Sequence, residues 1–171
     1  MYFGSIRNGY NPSTPSLPPF FYPHIETIEA FRATCHQLVM RLLRCFSISF
    51  GLDPDYFVKG IYLSSAEITI GHNENELPGD LLRLLFYPAR AEPPRDGVTR
   101  LIPHTDSRSL TLLFQKNPGL EIMSPTGEWI SAPAWDDHIL VNIGDALQFW
   151  SGNQLKSTMH RFHPLNSMYL Q

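Results

Sequence analysis

The apolar residues between positions 24 and 51 recur every three or four residues. The set is Ile25, Ile28, Phe31, Cys35, Leu38, Val39, Leu42, Leu43 and Phe46. This spacing predicts an amphipathic helix, and Gly51 predicts its end because glycine accepts the left-handed conformation that follows many helices. Asp53-Pro54 predicts a short second helix, since Asp caps helices and Pro is favoured at the first helical position. We expect the apolar stripe to pack on a sheet rather than to form a binding groove.

Beyond Ser64 the pattern changes to short runs of Leu, Ile, Val, Phe and Thr between turn residues. These runs predict strands near 66–70, 81–87, 98–105, 109–115, 119–123, 128–132, 138–143, 146–150 and 155–162. Turn residues such as Asn117-Pro118-Gly119 and Gly144-Asp145 separate the runs. Many short strands after a helical segment predict a mainly β fold, an antiparallel jelly roll or cupin-like barrel.

The chain is interpreted as one folding unit with three segments. Residues 1–23 are rich in proline, a composition that sustains neither a helix nor a central strand, so we expect an extended arm. Residues 24–63 form the helical segment, which is expected to pack on the barrel, and residues 64–171 form the jelly-roll core. A length of 171 residues fits a single domain with a sizeable core.

Charge and composition limit the class of partner. The formal net charge is −3 and the chain has no run of Lys or Arg, which argues against nucleic acid or anionic lipid and favours a small-molecule substrate. Cys35 and Cys45 lie about 15 Å apart along the predicted helix, too far for a disulfide, and are interpreted as reduced, half-buried thiols. The chain shows neither a secretory signal nor an apolar run of membrane-spanning length, so we predict a cytoplasmic protein.

His104-Thr105-Asp106 and the distant His160 offer the three side chains of a facial metal triad, which leaves open positions for other ligands. Side chains two apart in an extended segment point to the same face, so His104 and Asp106 can bind one ion. Two imidazoles and a carboxylate suit Fe(II), whereas a closed site with four protein ligands would indicate structural zinc. The His-x-Asp triplet alone is weak evidence, because it also occurs by chance.

Other segments accompany the triad in a fixed order. They are Leu84-Leu85-Phe86-Tyr87-Pro88, the run SLTLLFQ, Gly119-Leu120-Glu121, the run VNIGDALQFWS and Lys156-Ser157-Thr158-Met159-His160-Arg161. From about Leu81 to Pro164 this order resembles that of the 2-oxoglutarate- and Fe(II)-dependent dioxygenases of the isopenicillin N synthase-like group. The resemblance implies a distorted double-stranded β-helix with iron at its mouth.

The resemblance also implies roles for single residues. His104, Asp106 and His160 would bind Fe(II), with 2-oxoglutarate and molecular oxygen as co-substrates. Tyr87 would donate a hydrogen bond to the 2-oxoglutarate carboxylate; the alternative is a core tyrosine with a satisfied hydroxyl. Leu85 stands where many plant members have Asn, which would remove one polar contact. The implied reaction hydroxylates or desaturates a small organic molecule and releases succinate and CO2.

The chain departs from the family pattern at both ends. Family members have an Arg-x-Ser after the second His that holds the distal carboxylate of 2-oxoglutarate, and none follows His160 in this sequence. The chain thus resembles a member truncated at both ends with its last barrel strand missing, and an unpaired strand edge would permit self-association. Three alternatives follow: an active dioxygenase, a catalytically impaired or inactive metal-binding relic, or a likeness of fold alone.

The remaining polar and aromatic residues are interpreted as structural. His163 falls on the strand face opposite His160, His138 lies at a strand end, and Asp145 is a favoured turn residue. Arg161 is expected to point away from the metal. Packing is expected for Trp129, Trp135 and Trp150, and no functional signal attaches to His24, His36 and His72.

Overall fold

The computed structural model describes residues 2–7, 19–59, 61–62, 69–70, 81–85 and 101–162, and in 2–7, 61–62 and 69–70 only the course of the backbone is described. The chain forms two compact units, Met1–Tyr87 and Pro88–Gln171. The division into an arm, a helical segment and a core, with boundaries at 23 and 63, stays a prediction.

The first unit contains helices and two small antiparallel sheets. Its elements are β1 (Tyr2–Arg7), a 3-10 helix (Pro19–His24), α1 (Ile25–Ser49), α2 (Tyr56–Lys59), β2 (Ile61–Tyr62), β3 (Thr69–Ile70) and β4 (Leu81–Leu85). Strand β1 pairs with β4, and β2 pairs with β3. The strands predicted near 66–70 and 81–87 therefore correspond to β3 and β4 where the chain is described.

The predicted long helix is confirmed as α1, and its end has the expected glycine. Gly51 has a φ of 70°. Its N–H donates to the Ile48 carbonyl at 2.9 Å, and the Leu52 N–H donates to the Ser47 carbonyl at 3.0 Å. This pair of bonds is a Schellman motif, which satisfies carbonyls that the last helical turn leaves open. The buried apolar residues of α1 are Val39, Met40 and Leu43.

Ser47 joins α1 to α2 through a buried hydroxyl. Ser47 is 0% exposed and Phe57 is 1% exposed. The Ser47 hydroxyl donates to the Leu43 carbonyl at 3.0 Å and accepts the Phe57 N–H at 3.2 Å. Nearby, the Arg44 guanidinium donates to Asp55 at 2.8 Å and lowers the pKa of that carboxyl. The corner between the helices thus has its buried polar groups paired.

The N-terminal segment differs in part from the extended arm that its composition predicts. Residues 2–7 form strand β1, and residues 19–24 form a 3-10 helix that contains Pro23. Strand β1 precedes the first proline of the segment, so every N–H needed for its ladder is present. Among the described residues it pairs with β4.

The second unit consists of two antiparallel sheets and one short helix. Its elements are β5 (Leu101–His104), β6 (Leu110–Leu113), β7 (Leu120–Met123), β8 (Trp129–Ser131), β9 (Leu140–Ile143), α3 (Asp145–Trp150) and β10 (His160–Phe162). One sheet has the order β5-β10-β7-β8, and the other pairs β6 with β9. The strands predicted between residues 98 and 143 are confirmed where they are described, with shorter ends.

The strand predicted at 146–150 is wrong, because these residues belong to helix α3. A short apolar run does not by itself distinguish a strand from a buried helical turn. Leu147 is 0% exposed whereas Phe149 is 75% exposed, and Gly144 ends the extended course of the chain just before the helix. The strand predicted at 155–162 is confirmed only for 160–162. Among the described residues, no helix has the length and apolar character needed to cross a membrane.

We predict that Ser47→Ala destabilises the protein by about 1–3 kcal/mol, because it leaves the buried Phe57 N–H without an acceptor. The matched control is Ser49→Ala, whose exposed hydroxyl donates only to the Phe46 carbonyl. This control is expected to change the free energy of unfolding by no more than about 0.5 kcal/mol. Urea unfolding followed by circular dichroism measures both, and equal losses in the two variants would contradict the assigned role of Ser47.

Candidate metal centre

Antiparallel pairing of β5 with β10 brings the two predicted histidine ligands together. His160 lies directly opposite His104 in the register, and their ring centroids are 4.3 Å apart. Asp106 follows two residues after His104, and its Oδ1 lies 3.9 Å from His160 Nε2. One candidate ligand atom from each of these three side chains lies within 4.8 Å of the other two. The structure therefore assembles the whole predicted triad.

The pairing of β5 with β10 is irregular beside this cluster. His160 pairs with His104, but Phe162 pairs with Leu101, so three residue steps on β5 face two steps on β10. The extra residue is a bulge on β5. Bulges twist a strand and redirect its side chains, and they are common beside functional sites.

Both imidazoles are held by backbone carbonyls. His104 Nδ1 lies 2.9 Å from the Ile102 carbonyl oxygen, and His160 Nδ1 lies 3.0 Å from the Thr158 carbonyl oxygen. A carbonyl only accepts, so each Nδ1 carries a proton and donates it. A ring with its single proton on Nδ1 has its lone pair on Nε2, the arrangement that metal-binding histidines use.

The carboxylate of Asp106 is held through one of its oxygens. Its Oδ2 accepts the Thr111 hydroxyl at 2.6 Å and the Asn142 side-chain N–H at 3.1 Å. Thr111 and Asn142 lie directly opposite each other in the β6–β9 pair, so both hydrogen-bond donors lie on the same sheet. Oδ1 is the oxygen near His160 Nε2. Two Nε2 lone pairs and one carboxylate oxygen form a donor set that fits Fe(II).

The backbone around Asp106 is fixed to the start of α3. The Asp145 N–H donates to the Asp106 carbonyl at 2.7 Å, and the Gly144 N–H donates to the Ser109 carbonyl at 2.8 Å. The Thr105 hydroxyl donates to Asp145 Oδ2 at 3.0 Å. Asp145 therefore binds both residues that follow His104, a role beyond the turn residue predicted from sequence.

Gly144 is required at this point for space rather than for an unusual backbone. Its φ is −102° and its ψ is 172°, values that other residues adopt. A Cβ built there would collide with the Arg108 carbonyl and would lie 2.9 Å from the Asp106 carbonyl oxygen. A side chain at 144 would therefore push apart the segment that carries Asp106 and the end of β9.

Sequence reasoning missed the supporting residues Thr111, Asn142 and Asp145. The signal for Asn142 was its position inside an apolar strand run, since a half-buried amide in a strand needs a hydrogen-bond partner. Thr111 lies in a similar run. The run around Asn142 does not identify its partner, because Asp106 lies 36 positions earlier in the chain.

The other residues considered from sequence lie outside the cluster or outside the described chain. Tyr87 and His163 lie outside the described residues. His138 is exposed and donates from Nδ1 to the Asp136 carbonyl at 2.7 Å, and it is not part of the triad. Its local geometry resembles that of the two clustered histidines, so convergence of three side chains is what distinguishes the site.

Arg161 has the structural role predicted for it. Its Nε donates to Glu121 Oε2 at 2.6 Å, and its guanidinium lies 4.1 Å from the centre of the Trp129 ring. Trp129 packs as expected, whereas Trp135 is 62% exposed and contacts the His138 ring edge-on. Neither cysteine forms a disulfide, and Cys35 is half-buried as predicted.

Cys45 differs from the prediction, because it is exposed rather than half-buried. Leu85, for which the resemblance implies Asn in many plant members, is 49% exposed in β4. No structural observation of the first unit assigns a function to His24 or His36, and His72 lies outside the described residues.

Comparison with protein families identifies the chain. The model of the 2OG-Fe(II) oxygenase superfamily matches residues 78–168, more than half of the sequence. The chain belongs to this superfamily. The predicted family is confirmed, and with it the predicted set of Fe(II), 2-oxoglutarate and oxygen that the family uses.

Several curated proteins are similar over most of the chain. The "UPF0676 protein C1494.01" of Schizosaccharomyces pombe is 36% identical over 92% of this chain and 49% of its own length. The 2-oxoglutarate-dependent dioxygenase FG08081 of Gibberella zeae is 29% identical over 91% of this chain and 44% of its own length. The chain thus spans about half the length of these relatives.

Solved structures agree with the predicted fold class. A full-length protein of Neurospora crassa, crystallised in complex with alpha-KG, has a TM-score of 0.76 and 29% identity, covering 96% of this chain and 49% of that one. JOX2 in complex with 2OG, Fe and JA has a TM-score of 0.68 and 29% identity, covering 90% of this chain and 40% of that one. The mainly β jelly-roll fold with an N-terminal helix is confirmed.

We predict that Gly144→Ala weakens Fe(II) binding by about tenfold or more, because the Asp106 segment must move to admit a methyl group. The matched control is Gly127→Ala in the β7–β8 turn. Its Cβ meets open space, and its φ of 86° costs about 1 kcal/mol of stability. Anaerobic calorimetry measures Fe(II) affinity in both variants. Undiminished affinity in a folded Gly144→Ala variant would refute the steric requirement.

Proposed function

We propose that this protein is an Fe(II)- and 2-oxoglutarate-dependent dioxygenase that hydroxylates or desaturates a small organic molecule and releases succinate and CO2. The observation that carries the proposal is the convergence of His104, Asp106 and His160 within 4.8 Å. Membership of the 2OG-Fe(II) oxygenase superfamily supports the same chemistry. The assembled triad and the superfamily match favour this function over the relic alternative.

His104, Asp106 and His160 are the proposed ligands of the iron. The carbonyls of Ile102 and Thr158 keep the histidine protons on Nδ1, so that each ring offers Nε2. Fe(II), with 2-oxoglutarate and oxygen, supplies the oxidation of a C–H bond when bound. The chain's own contribution is orientation: two rings held by carbonyls and one carboxylate held by two donors.

Tyr87 is the proposed donor to a carboxylate of 2-oxoglutarate. It lies within the stretch that the superfamily model matches, in the Leu84-Leu85-Phe86-Tyr87-Pro88 segment. A tyrosine hydroxyl that bonds a charged carboxylate contributes about 1.5–3 kcal/mol. This proposal would make Tyr87 a determinant of co-substrate affinity rather than of metal affinity.

The proposed substrate is a small organic molecule. Structures of the Neurospora crassa relative contain thymine or 5-formyluracil, and a structure of JOX2 contains JA. A net charge of −3 without a basic run agrees with a small molecule rather than nucleic acid. A cytoplasmic location is supported by Cys35 and Cys45, neither of which forms a disulfide. Self-association through an unpaired strand edge is supported by the described sheet β5-β10-β7-β8, in which β5 and β8 lie at the edges.

We predict that His160→Ala weakens Fe(II) binding by more than about a hundredfold and abolishes succinate release, because loss of a ligand costs more than loss of a supporting partner. The matched control is His138→Ala, which removes an imidazole of similar local geometry outside the cluster. The assay follows succinate with Fe(II), 2-oxoglutarate, oxygen and a panel of small molecules. Wild-type turnover absent across the panel, or unchanged in His160→Ala, would contradict the proposed function.

We predict that Tyr87→Phe weakens 2-oxoglutarate binding by about tenfold to a hundredfold, with Fe(II) binding unchanged, because one charge-assisted hydrogen bond is lost. Tyr56→Phe in α2 is the matched control and is expected to bind both ligands normally. Anaerobic calorimetry with Fe(II) present measures the 2-oxoglutarate affinity. Wild-type affinity in Tyr87→Phe would show that Tyr87 is a packing residue.

A further inference from the structure

Asp106 presents its two carboxylate oxygens very differently. Oδ2 accepts two hydrogen bonds, from Thr111 at 2.6 Å and from Asn142 at 3.1 Å. A carboxylate oxygen has two lone-pair sites, so both sites of Oδ2 are occupied. No hydrogen bond to Oδ1 is found among the described residues, and it lies near His160 Nε2.

The two donors are fixed independently of the strands that carry the histidines. Thr111 lies on β6 and Asn142 lies on β9, directly opposite each other in a four-pair antiparallel ladder. His104 and His160 lie on β5 and β10, in the other sheet. The carboxylate is therefore bound by side chains of one sheet, while both imidazoles belong to the other sheet. Because Oδ2 already accepts two hydrogen bonds, it is not available as a metal ligand.

We propose that Thr111 and Asn142 are positioning residues that restrict Asp106 to one-oxygen coordination and so keep three positions of the bound metal ion open. The inference rests on the proposed function, since it concerns the same metal site. Three protein atoms on a six-coordinate ion leave three positions, which 2-oxoglutarate and oxygen together require. A carboxylate with Oδ2 released can bind through both oxygens, and it then takes one of those three positions.

The experiment counts the exchangeable water molecules on bound Mn(II), a paramagnetic stand-in for Fe(II). Water-proton relaxation per bound ion is proportional to this number. The wild-type chain, Thr111→Val, Asn142→Leu and the double variant are compared at saturating Mn(II), without 2-oxoglutarate. We expect roughly one third less inner-sphere relaxation in the double variant, because three open positions fall to two.

Two further variants separate positioning from general loss of structure. Thr111→Ser keeps the hydroxyl and is expected to show the same water-proton relaxation per bound Mn(II) as the wild type. Thr126→Val removes a hydroxyl in the β7–β8 turn, where it contacts Ser124 and Glu128, and is expected to leave the value unchanged. Thr111→Val removes one hydroxyl at nearly constant volume, so it carries the test if Asn142→Leu fails to fold.

Each result decides between the two proposals. Mn(II) binding by the wild type with equal relaxation in all folded variants overturns the positioning role and leaves the proposed function intact. Loss of Mn(II) binding in folded Thr111→Val also overturns it, because Oδ1 would still be available as a ligand. Failure of the wild type to bind Mn(II) or Fe(II) contradicts the metal site itself, and the proposed function with it.

Discussion

The pairing of β10 with β5 is the interaction on which the site depends. It places His160 opposite His104, although 56 positions separate them in the chain. The bulge on β5 beside this pair shows that the register is irregular where the rings meet. A change of register by one residue would turn His160 to the opposite face of the sheet, and its side chain would no longer lie beside those of His104 and Asp106. Strand pairing therefore has a chemical consequence as well as a stabilising one.

The second sheet completes the site by a different means. It contributes no ligand, but its cross-strand pair Thr111 and Asn142 fixes the Asp106 carboxylate. Backbone bonds from Gly144 and Asp145 hold the intervening segment, and the lack of a side chain at Gly144 permits the close approach. Each ligand is thus held by a hydrogen bond of its own, a common feature of metal sites whose geometry is preset.

Sequence reasoning succeeded where the signal was local. The 3.6-residue period predicted α1 and its glycine end, and the spacing in His104-Thr105-Asp106 predicted two ligands on one face. It failed for residues 146–150, where a short apolar run fits a strand or a helical turn equally well. It also assigned Asp145 only to a turn, because the partner that gives this residue its role, Thr105, lies 40 positions away.

Taken alone, the sequence determined the long helix, most strands of the second unit, the three triad residues and the family to which the chain belongs. These features depend on residue types and on short spacings, which can be read from the sequence without a folded structure. The tertiary structure decided which histidine nitrogens carry protons, which oxygen of Asp106 is occupied, and why residue 144 must be glycine. Those properties depend on distances between segments far apart in the chain, and such distances exist only once the strands have paired.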